Sequence, residues 1–195
     1  MSREQVDAVC TYMSNHRNQL SDIYEFGVYQ GNSLERIRDR CAELGVEYNG
    51  LYGFDSFAGL PDEKEGLGKF GGFSKGYFSD THLEEVSRLV PTAILIPGFY
   101  SESLKDQLVS KHGMKPAKFI YVDCDLYISA YQALDFMFRN GLVKAGTLIG
   151  YDEFDSSPGA GEELAHREIL TKYGCKVELL LQSNNGFQQN TYKVL

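Results

Sequence analysis

A chain of 195 residues, 43% hydrophobic and 24% charged, has the balance of an ordinary soluble protein and is long enough to bury one sizeable core. The formal net charge of -8 argues against a broad nucleic-acid surface, which needs clustered Lys and Arg. No apolar run approaches the roughly 20 residues of a membrane helix. The opening "MSREQVDAVC" lacks the apolar core of a signal peptide, and Cys10, Cys41, Cys124 and Cys175 form no C-x-x-C pair. Both point to a cytoplasmic protein with reduced thiols, built as one domain over residues 1–195.

In chain order, the pattern predicts a helix over residues 4–17 and a short strand at 22–28, "DIYEFGV". A helix follows over 32–44, with Asn32 or Ser33 placed to cap it and Gly45 to end it. "GLYGFDS" at 50–56 reads as a second strand. The stretch after it, "AGLPDEKEGLGKFGGFSKGYFSD", is a loop long enough to be a lid or binding loop. Its aromatic residues and the one before it, Phe57, Phe70, Phe73, Tyr77 and Phe78, are candidates to stack on a ring or to pack in the core. Next come a helix at 81–89, a strand at 92–97, a helix near 101–111 and the strong strand "KFIYVDCD" at 118–125. Helix at 128–140, strand at 146–153 and helix at 160–173 continue the alternation. Two final runs, "KVELLLQ" and "FQQNTYKVL", flank "SNNG" and read as a closing hairpin. The alternation defines an α/β fold with a mostly parallel sheet covered on both faces and an antiparallel ending.

Ligands in open α/β sheets bind beyond the carboxyl ends of the strands, and acids gather there: Glu25, Asp55, Asp123, Asp125, Asp152 and Glu153. The first turn, "YEFGVYQGNS", offers Gly27 and Gly31 but not the G-x-G-x-x-G spacing that receives a pyrophosphate. Glu25 beside it opposes a diphosphate further and suits a cationic ligand. S-adenosylmethionine, with a sulfonium, an ammonium and no phosphate, meets that description. Asp55 stands where an acid commonly takes ribose hydroxyls, or else forms the turn. Asp123, Asp125, Asp152 and Glu153, from neighbouring strand ends, would hold a hard divalent cation such as Mg²⁺ that polarises a bound hydroxyl. Of His16, His82, His112 and His166, only His82 and His166 fall near these segments as candidate bases.

Several blocks, "YEFGVYQGNSLERI", "GFDSFAGLPD", "IPGFYSESL", "YVDCDLYISAYQAL" and "GTLIGYDEFD", resemble in order those of the macrocin O-methyltransferase type, S-adenosylmethionine-dependent enzymes of antibiotic pathways. The resemblance implies a three-layer, Rossmann-like class I methyltransferase fold whose seven-stranded, mostly parallel sheet ends in an antiparallel hairpin. It implies that Glu25, Gly27, Tyr29, Gly31 and Ser33 surround the methionine part of the cofactor, with Asp55 and Ser56 at the ribose and Asp123 beside them. It further implies Mg²⁺ on Asp123, Asp152 and Glu153, catalysis through Asp123, Asp152 and His166, and Glu162 and His166 at the acceptor. The expected activity is methylation of a hydroxyl on a sugar or small metabolite in natural-product biosynthesis, with no nucleic-acid or membrane partner. Glu153 stands where the family frequently has Asp, and the chain lacks the longer N-terminal region many members use for lid and dimer contacts. Acceptor and homo-oligomerisation are left open, and the alternatives are a non-catalytic cofactor-binding protein or a nucleotide-linked oxidoreductase on a similar sheet.

Overall fold

The structure is a computed structural model that describes residues 3–17, 19–62, 74–154, 159–184 and 188–195. Its elements run α1 (Arg3–Asn15), β1 (Asp22–Phe26), α2 (Asn32–Leu44), β2 (Leu51–Asp55), α3 (Leu83–Leu89), β3 (Ile94–Pro97), α4 (Tyr100–Ser103), α5 (Gln107–His112), β4 (Ala117–Val122), α6 (Tyr127–Arg139), β5 (Leu148–Tyr151), α7 (Gly161–Tyr173), β6 (Val177–Asn184) and β7 (Gln188–Val194). The strands form a seven-stranded sheet in the order β3-β2-β1-β4-β5-β7-β6. Pairing is parallel from β3 to β5, and β7 runs antiparallel to both β5 and β6.

This is the expected α/β sheet, and the alternation of side chains along each strand explains its two covers. In β1, Tyr24 and Phe26 enter one core with Phe54, Ile120, Ile149, Phe136 of α6 and Ile169 of α7. Ile23 enters the other with Leu51, Phe119, Val9 of α1, Ile37 of α2 and Val86 of α3. Thus α1, α2 and α3 cover one face and α6 and α7 the other. The cysteines are free thiols, with Cys10 and Cys41 meeting at 3.8 Å between α1 and α2.

Several boundaries differ from the sequence reading. Neither Asn32 nor Ser33 caps α2. Gly31 does so in the left-handed region (φ 83°) with no side-chain bond, while Gly45 ends the helix as expected (φ 64°). The single helix expected near 101–111 is broken into α4 and α5. Ser103 Oγ donates back to the Gly98 and Phe99 carbonyls, and the Tyr100 hydroxyl donates to Phe54 O, so the first turn is anchored to β2 and does not propagate. Strand β4 stops at Val122, before the expected 125, because the chain leaves the sheet at Asp123 and passes through a left-handed Asp125 (φ 58°). The closing hairpin is present, but its turn at 185–187 lies outside the described residues. Phe70 and Phe73 of the long loop also lie outside them.

Candidate active site

The strand order reverses between β1 and β4, so the crevice of the sheet opens over their carboxyl ends. A cavity of about 520 Å³ lies there. Its floor is the turn after β1 and its far wall the turn after β4. The two approach so closely that a Cβ on Gly27 (φ 91°) would stand 1.7 Å from the Asp123 carbonyl oxygen. Only glycine fits there, and Asp123 N–H in turn donates to Phe26 O at 2.8 Å.

Asp55, at the end of β2, fixes that floor. Its Oδ2 accepts the Val28 and Tyr29 amides at 2.8 and 2.9 Å, and its Oδ1 accepts the Phe57 amide at 2.7 Å. It lines the cavity, and by a carboxylate's ordinary count of about four acceptor sites one remains for a ligand. Ser56 also lines the cavity, though its hydroxyl donates to Gly59 O at 2.7 Å and serves the following turn. The two ends of the long loop are joined where Leu60 N–H donates to Tyr77 O and Gly76 N–H to Leu60 O, both at 2.9 Å. Leu60, Pro61, Asp62 and Phe78 reach the cavity from this loop, whereas Phe57 packs into the core and Tyr77 is exposed.

Glu25 is fully buried beneath the turn. Ser33 Oγ donates to its Oε1, and its Oε2 has no partner among the described residues. Burial, and then the charges of Asp123 and Asp55, push its carboxyl up to about 8 against the hydrogen bond from Ser33. Burial and the neighbouring Asp152 likewise raise Asp123 to about 7, and burial with Asp123 raises Asp125 to about 8. Asp123, Asp125, Asp152 and Glu153 all line the cavity, as do Gly27, Tyr29 and Ser33. Gly31 does not. It turns the chain into α2 against Val86, whose Cγ1 would lie 2.9 Å from an added Cβ.

Asp125, which the sequence reading placed among the acids around a divalent cation, has a backbone that the sequence did not reveal. Four non-glycine residues among those described hold a positive φ, Tyr29, Phe57, Phe78 and Asp125, and all but Phe57 line the cavity. Left-handed backbone of this kind costs free energy and gathers at functional sites. No signal in one sequence announces it, since Asp125 belongs to an apolar run that otherwise reads as strand.

The expected metal ligands are adjacent but do not form a site as placed. Asp152 Oδ1 accepts from the Tyr121 hydroxyl at 2.8 Å and from Gln189 Nε2 at 2.5 Å. Among the described residues, no three His, Cys, Asp or Glu side chains converge as a metal-holding group.

His166 and Glu162, expected at the acceptor, are not among the residues that line the cavity. His166 is buried against Phe154 and Tyr192, its Nδ1 2.8 Å from the Tyr151 hydroxyl, and burial lowers it to about 4. Glu162 lies behind the rim, accepting the Cys124 amide at 3.1 Å and the Glu153 amide at 3.5 Å. His82 starts α3 outside the cavity lining.

A parallel sheet closed by an antiparallel pair is a fold this chain shares with solved structures of methyltransferases. The chain is similar to the O-methyltransferase NovP (TM-score 0.76, 19% identity, 97% of this chain and 78% of that one). It is also similar to CalS11, a calicheamicin methyltransferase (0.73, 19%, 97% and 77%), whose apo structure is described as that of a TDP-rhamnose 3'-O-methyltransferase. A third is the N-methyltransferase NodS from Bradyrhizobium japonicum, in complex with S-adenosyl-L-homocysteine (0.55, 12%, 98% and 86%). At these identities the likeness establishes the fold. No protein-family model matches the sequence, and no curated relative does. No helix among the described residues is long and apolar enough to cross a membrane.

Proposed function

We propose that the protein is an S-adenosylmethionine-dependent O-methyltransferase acting on a hydroxyl of a sugar or other small metabolite. The observation that carries this reading is the acid-lined cavity at the β1/β4 switch point, with the Glu25 carboxylate buried beneath its glycine turn. A cationic adenosine ligand suits that field, whereas a diphosphate would meet six cavity-lining carboxylates, Asp55, Asp62, Asp123, Asp125, Asp152 and Glu153. The fold shared with NovP and CalS11, both described as methyltransferases, supports the same reading.

Bound there, S-adenosylmethionine supplies an electrophilic methyl group. Glu25 and Asp123 balance its positive charge, and Asp55 keeps one acceptor site for a ribose hydroxyl. Phe78, Phe99 and Ile128 wall the cavity and limit water around the reacting atoms. Asp125, which lines the cavity, is the carboxylate proposed to receive the acceptor's proton.

The reading includes Mg²⁺. Asp123, Asp152 and Glu153 offer hard, crowded oxygens of the right chemistry, and a cation there would polarise the acceptor oxygen. Holding it requires Asp152 to turn from Tyr121 and Gln189.

The test is calorimetry with S-adenosyl-L-homocysteine, followed by an acceptor screen read as release of that product, with and without EDTA. Binding, transfer to a hydroxyl and loss of turnover in EDTA are expected. No binding of the cofactor with or without Mg²⁺ overturns the reading, and binding of NAD in its place favours an oxidoreductase. Turnover that ignores EDTA removes the metal alone.

A further inference from the structure

Resting on the cofactor reading above, we infer that Arg36 binds the carboxylate of the cofactor's methionine part. Among the described residues lining the cavity, Arg36 is the one Lys, Arg or His side chain, and it faces six carboxylates without pairing to any.

The reason lies in α2. Three arginines follow one another at alternate positions, Arg36, Arg38 and Arg40. Beside them runs a surface groove whose lining includes Asp7, Glu35, Asp39 and Glu43 together with Arg36 and Arg40, and its acids would ordinarily attract all three arginines. Arg38 takes Glu35 at 3.5 Å and Asp39 at 2.7 Å, while Arg40 takes Asp7 at 3.2 Å and Glu43 at 2.7 Å. Every carboxylate of the groove is thereby engaged. Arg36 has no ion pair or hydrogen bond among the described residues, and it shares the cavity wall with Asn32 and Ser33, four and three positions earlier on the same helical face.

The ligand's own charges then orient it. Its ammonium is drawn to the acids at the ends of β1 and β4, Glu25 and Asp123. The carboxylate is repelled from those acids. Within the cavity its favourable places are the free amides of the first turn of α2 and the guanidinium one turn further on. An arginine fork fits a carboxylate bidentately, so Arg36 sets both orientation and preference for the full amino-acid tail.

The experiment compares two probes, S-adenosyl-L-homocysteine and 5'-methylthioadenosine, which keeps the nucleoside and thioether but lacks the amino-acid tail. Binding of each is measured by calorimetry on the wild type, Arg36→Gln and Arg36→Lys. Expected in Arg36→Gln is a loss of about 10- to 100-fold for S-adenosyl-L-homocysteine, with 5'-methylthioadenosine unchanged within about twofold. Arg36→Lys should fall between, keeping charge without the fork. Equal losses for both probes in either variant, or none for either, overturn the inference while leaving the cofactor reading intact. A wild type that binds neither probe overturns both.

Discussion

Two acids on β1 show how burial assigns different work to similar side chains. Asp22, at the start, accepts the Lys115 amide at 2.7 Å and the Gly50 amide at 3.1 Å, and it fastens the strand to its neighbours. Glu25, three residues on, has a hydrogen bond from Ser33 to one oxygen and no partner among the described residues for the other. The sequence made Glu25 readable because its acid broke the pattern of a phosphate turn. Asp22 was not readable, since its partners come from loops far along the chain. The raised Glu25 carboxyl leads to a pH dependence of cofactor binding. With its ordinary value of 4.5 moved to about 8, the group holds a proton in the empty site through neutral pH. A cationic ligand prefers the ionised form, so binding below that value releases a proton, and affinity rises with pH by up to about tenfold per unit until the group is ionised. S-adenosylmethionine should therefore bind more tightly at pH 8 than at pH 6, with proton release detectable in buffers of different ionisation enthalpy. Glu25→Gln should remove that part of the slope. An unchanged slope in the variant would show that Glu25 is not the titrating group.

At the scale of elements, the helix over 32–44 was legible to the residue because its apolar positions and terminal Gly45 agree. The 101–111 helix was not, because serines that bond back to the chain cannot be told from helical ones in sequence. The two acid-bearing turns were each legible, but not the part that joins them. Glu162 enters from the first turn of α7, accepting an amide at Cys124 after β4 and one at Glu153 after β5. One buried side chain thus spaces the turns that carry Asp123 and Asp152. Its carboxyl is pushed well above the ordinary range, first by burial and then by Asp123, and each of its oxygens accepts one backbone amide. Glu162→Gln keeps one acceptor oxygen but turns an NH2 donor toward the other amide, so it should melt below wild type and above Glu162→Ala. Glu162→Ala strands a buried amide and should cost about 1–3 kcal/mol, a fall of roughly 2–12 °C for a chain of this length. Thermal melts of the two variants decide this, and equal melting would mean that the two amides do not depend on Glu162.

For the whole molecule, the alternation of strands and helices and the closing hairpin were readable from periodicity and an Asn-Gly turn, but the strand order was not, because lateral neighbours are chosen by packing between distant segments. That order places the cavity where the β3-β2-β1 half of the sheet meets the β4-β5-β7-β6 half, with turn residues of both halves in its walls. A ligand seated there bridges the two halves and stabilises only the folded chain, which has the cavity, against an unfolded chain, which does not. At a concentration one hundred times its dissociation constant, S-adenosyl-L-homocysteine should add about 2.7 kcal/mol. For a chain of this size that raises the melting temperature by roughly 5–11 °C. The rise should appear together in far-ultraviolet and near-ultraviolet signals, since one sheet spans both halves and both cores pack on it. NAD at the same concentration should give none, because its diphosphate meets the carboxylate wall. A rise with NAD and none with S-adenosyl-L-homocysteine would reverse the assignment of the cavity, because those carboxylates are what would exclude a diphosphate.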